Sequence, residues 1–103
     1  MSDLPLSSEQ AEATDQYSRT TVLWSAILVA RGQDLTCVIE SIGPKGALIH
    51  INERFDFGSK AVVRNDRFGD LACEILWHED YELEVRFKDD PEVLAQVLAD
   101  YLP

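Results

Sequence analysis

An arginine at the threshold of the first apolar run is the residue in this chain best placed to do chemistry. In "DQYSR" Arg19 stands immediately before "TTVLWSAILVA", and Asp15 stands four residues ahead of it. A guanidinium fork can grip phosphate or carboxylate oxygens through two parallel hydrogen bonds. Two readings follow from the sequence. Either Arg19 is half of an anion clamp whose other half is missing, or it pairs with Asp15 or another surface acid, a contact that contributes little.

The other reactive side chains are scattered. Cys37 and Cys73 each sit inside an apolar run, "LTCVIE" and "LACEILW", with no second cysteine or histidine at ligand spacing, so buried free thiols are expected. His50 and His78 are isolated, and the "HED" segment reads as a solvated hairpin tip rather than a ligand set. "SIGPKG" holds glycine and proline without phosphate-loop spacing, as a plain turn between strands does. There is no nucleophile elbow and no HExxH pattern, so neither an enzyme nor a bound metal or cofactor is expected.

Two further groups suit protein contacts. Phe55 and Phe57 in "NERFDFGS" share side-chain parity and are expected to tuck under their loop; an exposed one would instead anchor a partner. Glu82 and Glu84 alternate with apolar residues in the last run, and a wet acidic face there would steer a basic partner.

Composition limits what these residues can serve. The chain has 103 residues, enough for one domain, and a formal net charge of -10 from 19 acidic and 9 basic side chains. That field repels polyanions, and with no run of Lys or Arg the counterion-release term behind nucleic-acid binding is missing. The longest apolar stretch, Val22 to Ala30, is broken by Ser25 and falls far short of a bilayer span. "MSDLPLSSEQ" lacks a basic start and an apolar core, so no signal peptide is expected and the cytoplasm is the expected compartment.

The elements that must position the candidates can be read from hydrophobic period. Residues 1–18 are acidic and poor in large apolar groups, and a flexible segment is expected there, with Ser7 and Gln10 at capping-box spacing for a short helix on a partner surface. From Thr20 the period becomes two. Val22, Trp24, Ala26, Leu28 and Ala30 share one face, and Leu23, Ile27 and Val29 the other. Further runs, "LTCVIE", "ALIHI", "KAVVRN", "LACEILW" and "YELEVRF", are separated by turn signals, and in the last Tyr81, Leu83, Val85 and Phe87 face inward. Six short strands at this spacing predict a mainly β chain folded as a small antiparallel barrel. At the end, Asp90 can cap a helix with Pro91 in its first position, and Val93, Leu94, Val97, Leu98 and Tyr101 fall along one side. Barrel and helix together would occupy residues 19–103.

This order of features resembles the PilZ domain family, over roughly residues 17–90. The family's pattern is RxxxR before the first strand, a [DN]xSxxG turn between the second and third strands, and a Trp-ended strand leading through a hairpin to a Phe. The matching residues here are Arg19, "GALI" from Gly46 to Ile49, "FGSKAVV", and "ILWHEDYELEVRF" with Trp77 and Phe87. The resemblance implies a six-stranded antiparallel PilZ-like β-barrel with a C-terminal helix, and a ligand, cyclic di-GMP, held by the two motifs. Arginine suits phosphate oxygens and the guanine edge, and the turn's glycine lets backbone come close.

Carried over by position, most of that machinery is absent. Asp15 stands where the first arginine belongs, Ser41 at the turn's Asp or Asn, Gly43 at its Ser, and only Arg19 and Gly46 are kept. Glu84 occupies a position that is often glycine, adding a negative charge near the pocket. Each lost charge-assisted hydrogen bond costs roughly 1.5–3 kcal/mol, so two would weaken a micromolar ligand about 10²- to 10⁴-fold. The expectation is a regulatory or adaptor protein in bacterial second-messenger signalling. It would act on an unidentified protein partner with weak or no cyclic di-GMP binding; the alternative is an atypical cyclic di-GMP receptor.

Overall fold

The period-two run after Arg19 forms strand β1, Thr20–Ala30, in a computed structural model that describes residues 19–56 and 58–102. Ala26, Leu28 and Ala30 are buried while Ile27 and Val29 are half-buried, so this end of the strand is partly covered on both faces. Arg31 and Gly32, at φ +53° and +73°, reverse the chain into β2, Gln33–Ile42. Paired left-handed residues are what a tight hairpin needs to match the twist of its strands.

Four more strands follow among the described residues: β3, Gly46–His50; β4, Lys60–Asn65; β5, Gly69–Glu79; and β6, Glu82–Phe87. They close a barrel in the order β1-β2-β3-β6-β5-β4, and every pairing is antiparallel. Closure leaves no open sheet edge. One side-chain set from each strand fills the interior, with Leu28, Ile39, Ile49, Val63, Ile75, Leu83 and Val85 fully buried. The mainly β barrel expected from hydrophobic period is therefore the fold.

Two local expectations are corrected. The last hairpin turns at Asp80 and Tyr81, so only the aspartate of "HED" lies in the turn: His78 and Glu79 belong to β5, Asp80 takes φ +54°, and Tyr81 is exposed. A register shift between Ile75 and Trp77 resets the inward–outward parity, which simple alternation could not anticipate. The C-terminal helix α1, Pro91–Ala99, is capped as expected by Asp90, whose carboxylate accepts from the Glu92 N–H at 2.8 Å. Its buried stripe is narrower than five residues. Leu94 and Leu98, one turn apart, are buried, Val97 is half-buried, and Val93 and Tyr101 are exposed.

Polar and thiol groups in the interior are few. Cys37 and Cys73 are free and buried, as their apolar surroundings suggested. Asn65 is the buried polar residue among those described; its amide donates to the Ser25 carbonyl at 2.9 Å and its oxygen accepts from the Arg67 N–H at 2.7 Å. It ties the β4–β5 turn to β1. Among the described residues no helix is long and apolar enough to cross a membrane.

Candidate functional site

Strand register carries the candidate residues to one patch of the outer wall. Thr21 lies opposite Ser41, Ser41 opposite Leu48, Leu48 opposite Glu84, and Glu84 opposite Trp77, a single row across five strands. Leu48 sits between buried Ala47 and Ile49, and Glu84 between buried Leu83 and Val85, so the row faces outward. Gly46 has the same parity as Leu48 and lies opposite Arg86.

Gly46 is where the patch becomes specific. A Cβ there would stand 2.2 Å from the Val85 carbonyl oxygen and 3.1 Å from Nη2 of Arg19. The first contact is with backbone and cannot be relieved by a rotamer change, so glycine is required by close approach. Bare backbone at this point lets the Arg19 guanidinium lie over the start of β3 and reach β6. There Nη1 donates to Oε1 of Glu84 at 3.1 Å, and Nη2 donates to Oε2 in a shorter contact. The side chains are 35% and 14% exposed, so the carboxylate is the more covered of the two.

The remaining positions of the turn close the same corner. Gly43 is buried and its N–H donates to the Gly46 carbonyl at 2.9 Å, while Ser41 is half-buried in the outward row. Arg19, Ser41, Gly43, Gly46 and Glu84 thus share one neighbourhood. Asp15 lies outside the described residues, and the acid that pairs with Arg19 is Glu84. This fork-to-fork geometry uses the donors that an incoming phosphate would need.

The wet acidic face expected of Glu82 and Glu84 divides into two different arrangements. Glu84 is engaged by Arg19, whereas Glu82 acts on the Glu40 carboxyl. Burial first, and then the neighbouring Glu82 carboxyl, push the Glu40 carboxyl above its ordinary range, and His50 pulls it back. His50 Nδ1 lies 3.6 Å from Glu40 Oε2, and its ring is tilted against Tyr81 with centroids 6.1 Å apart.

Phe55 is half-buried against the core, with the Arg31 guanidinium 4.5 Å above its ring centre; Phe57 lies outside the described residues. Among the described residues His78 has a buried Nε2 without a hydrogen-bond partner, a feature to which nothing in the sequence pointed. Among the described residues no group of three His, Cys, Asp or Glu side chains is arranged to hold a metal ion. Burial pushes the Cys37 thiol up to about 11 and, with Cys37 nearby, the Cys73 thiol up to about 12. Both are the opposite of an activated nucleophile.

Against known proteins, the chain matches no family model and no curated protein, so the reading of this site rests on its own geometry.

Proposed function

We propose that this barrel is a PilZ-like regulatory or adaptor module that acts through protein contacts, with weak or no affinity for cyclic di-GMP. The observation that carries this reading is the two-pronged contact from Arg19 to Glu84 over Gly46. Arg19 and Gly46 stand where the family's ligand motifs would put them, and the guanidinium is already filled by a carboxylate of the same chain. A phosphate must displace that carboxylate and then sit beside its charge. The first arginine and the turn's Asp and Ser are replaced by Asp15, Ser41 and Gly43, so those positions supply no second guanidinium, and of their side chains only the Ser41 hydroxyl can donate.

Nothing in the site favours catalysis. The imidazoles of His50 and His78 lie on different strand faces, and the thiols are buried. Titration calorimetry of cyclic di-GMP into the full chain tests the proposal. It expects no binding heat with ligand at about 1 mM, well above a micromolar Kd. Micromolar binding abolished by Arg19→Ala would make the protein an atypical receptor instead.

A further inference from the structure

Strand β1 begins beside Arg19 and ends beside Arg31, and a second arginine-lined site lies at that far end. Here the β1–β2 turn, the loop after β3 and the end of β5 enclose a cleft of about 490 Å³. Its walls include Arg31, Arg54, Phe55, Asp56, Trp77 and His78. We propose that this cleft binds a small organic anion, a carboxylate or phosphate carried on a flat ring.

Charge is the first argument. The chain has 9 Lys and Arg against 19 acids, yet two of those cations converge here with an imidazole. Among the described residues the fork of Arg31 makes no side-chain hydrogen bond, unlike that of Arg19. Its guanidinium is stacked 4.5 Å over the Phe55 ring, which fixes its plane and leaves its N–H edge to project. The acid beside it, Glu53, approaches only to 3.9 Å, with both side chains about half exposed at 54% and 47%.

Backbone conformation is a second and independent argument. Arg31 holds φ +53°, where glycine, asparagine or aspartate would be at ease and a long side chain is strained. The β1–β2 hairpin imposes this backbone, and an arginine stands there in place of the residue types that hold it without strain. The third argument is His78. It lines the same cleft, and among the described residues its buried Nε2 has no hydrogen-bond partner, so the imidazole is not committed to another side chain there.

The remaining walls define the ligand further. Trp77 offers an aromatic face, 42% exposed, for a ring to lie against. Asp56 repels a bare anion and rewards a ring that carries an O–H or N–H donor. The volume falls within the range of small-molecule sites, about 300–1,000 Å³. This site shares Trp77 with the outward row that carries Glu84 but includes none of Arg19, Ser41, Gly43, Gly46 and Glu84, and it does not depend on the adaptor reading.

The test is a ¹H–¹⁵N NMR titration of the full chain with 4-hydroxybenzoate, phenyl phosphate, inorganic phosphate and neutral 4-hydroxybenzamide. The expected result is a saturable shift of the Trp77 indole N–H with one or both ring anions, at roughly 1 mM or below. The better of the two identifies the anion as carboxylate or phosphate. Inorganic phosphate and the neutral amide bind more weakly. Arg31→Gly relieves the left-handed strain and so keeps the fold while removing the fork; it and Arg54→Ala should each weaken binding about tenfold, and Arg19→Ala should not. Absence of a saturable shift, equal binding of the neutral amide, or indifference to Arg31→Gly would overturn the proposal.

Discussion

Arg19 and Glu84, 65 positions apart, meet in a two-pronged ion pair that lies over the bare backbone of Gly46. Each residue occupies its place for a different structural reason. Arg19 is the last residue before β1, Glu84 is an outward residue of β6, and barrel closure sets β6 beside β3, whose first residue is Gly46. The outcome is an arginine that has the right position for anion recognition and an internal carboxylate in place of the anion.

A double-mutant cycle between Arg19→Ala and Glu84→Gln measures this pair. Because Arg19 is still about a third exposed, solvent screening limits the coupling to about 1 kcal/mol or less. Urea midpoints of the four chains should give that value at low salt and a smaller one near 1 M salt, where surface charges are screened.

Gly46→Ala and Gly32→Ala should both destabilise, for different causes. At Gly46 the new methyl meets the Val85 carbonyl at 2.2 Å, so backbone must move and the loss should reach about 3 kcal/mol. At Gly32 there is open space around the methyl but φ is +73°, so the cost is the left-handed conformation alone, about 1 kcal/mol. Chemical denaturation of the two variants in parallel checks the order.

The buried thiols make the protein sensitive to alkali. Below pH 9 the folded and unfolded chains both hold the thiol protons, so these groups add no pH dependence. Above the ordinary value of 9.0 the unfolded chain releases its protons first, and stability falls until the folded values of about 11 and 12 are reached. The slope is at most about 1.4 kcal/mol per pH unit for each thiol. Urea denaturation between pH 8 and 10.5 should show the decline, and Cys37→Ala with Cys73→Ala should flatten it. In the native chain at pH 8 both thiols should resist a thiol reagent that labels them at once in urea.

Asp90→Ala removes the carboxylate that accepts the Glu92 N–H, and the cost expected of a lost N-cap is about 1 kcal/mol. Hydrogen exchange should speed first in α1, while β1 and β5 keep their protection.

Much of the fold was legible because alternation is a local property. The inward residues of β1, the "KAVVRN" strand and the Asp90–Pro91 start of α1 follow from side-chain parity and capping chemistry within a few residues. A turn after Trp77 was legible, but its place at Asp80 and Tyr81 was not, since the shift after Ile75 changes parity inside one strand. Arg19 and Gly46 could be singled out as residue types suited to an anion. That Glu84 fills the fork depends on β3 pairing with β6, two strands far apart in the chain, and no spacing in the sequence encodes it. The unpartnered nitrogen of His78 and the stacking of Arg31 on Phe55 are likewise products of loops meeting in space.

The most direct test of the central claim is to observe the Arg19 guanidinium itself by NMR in the native chain, in Glu84→Gln, and with cyclic di-GMP at about 1 mM. The account predicts slowed rotation and protected N–H signals in the native chain, loss of both in Glu84→Gln, and no change on adding cyclic di-GMP. Arg19 signals as mobile as those of a free surface arginine, or a saturable shift of those signals with cyclic di-GMP in the native chain, would contradict it.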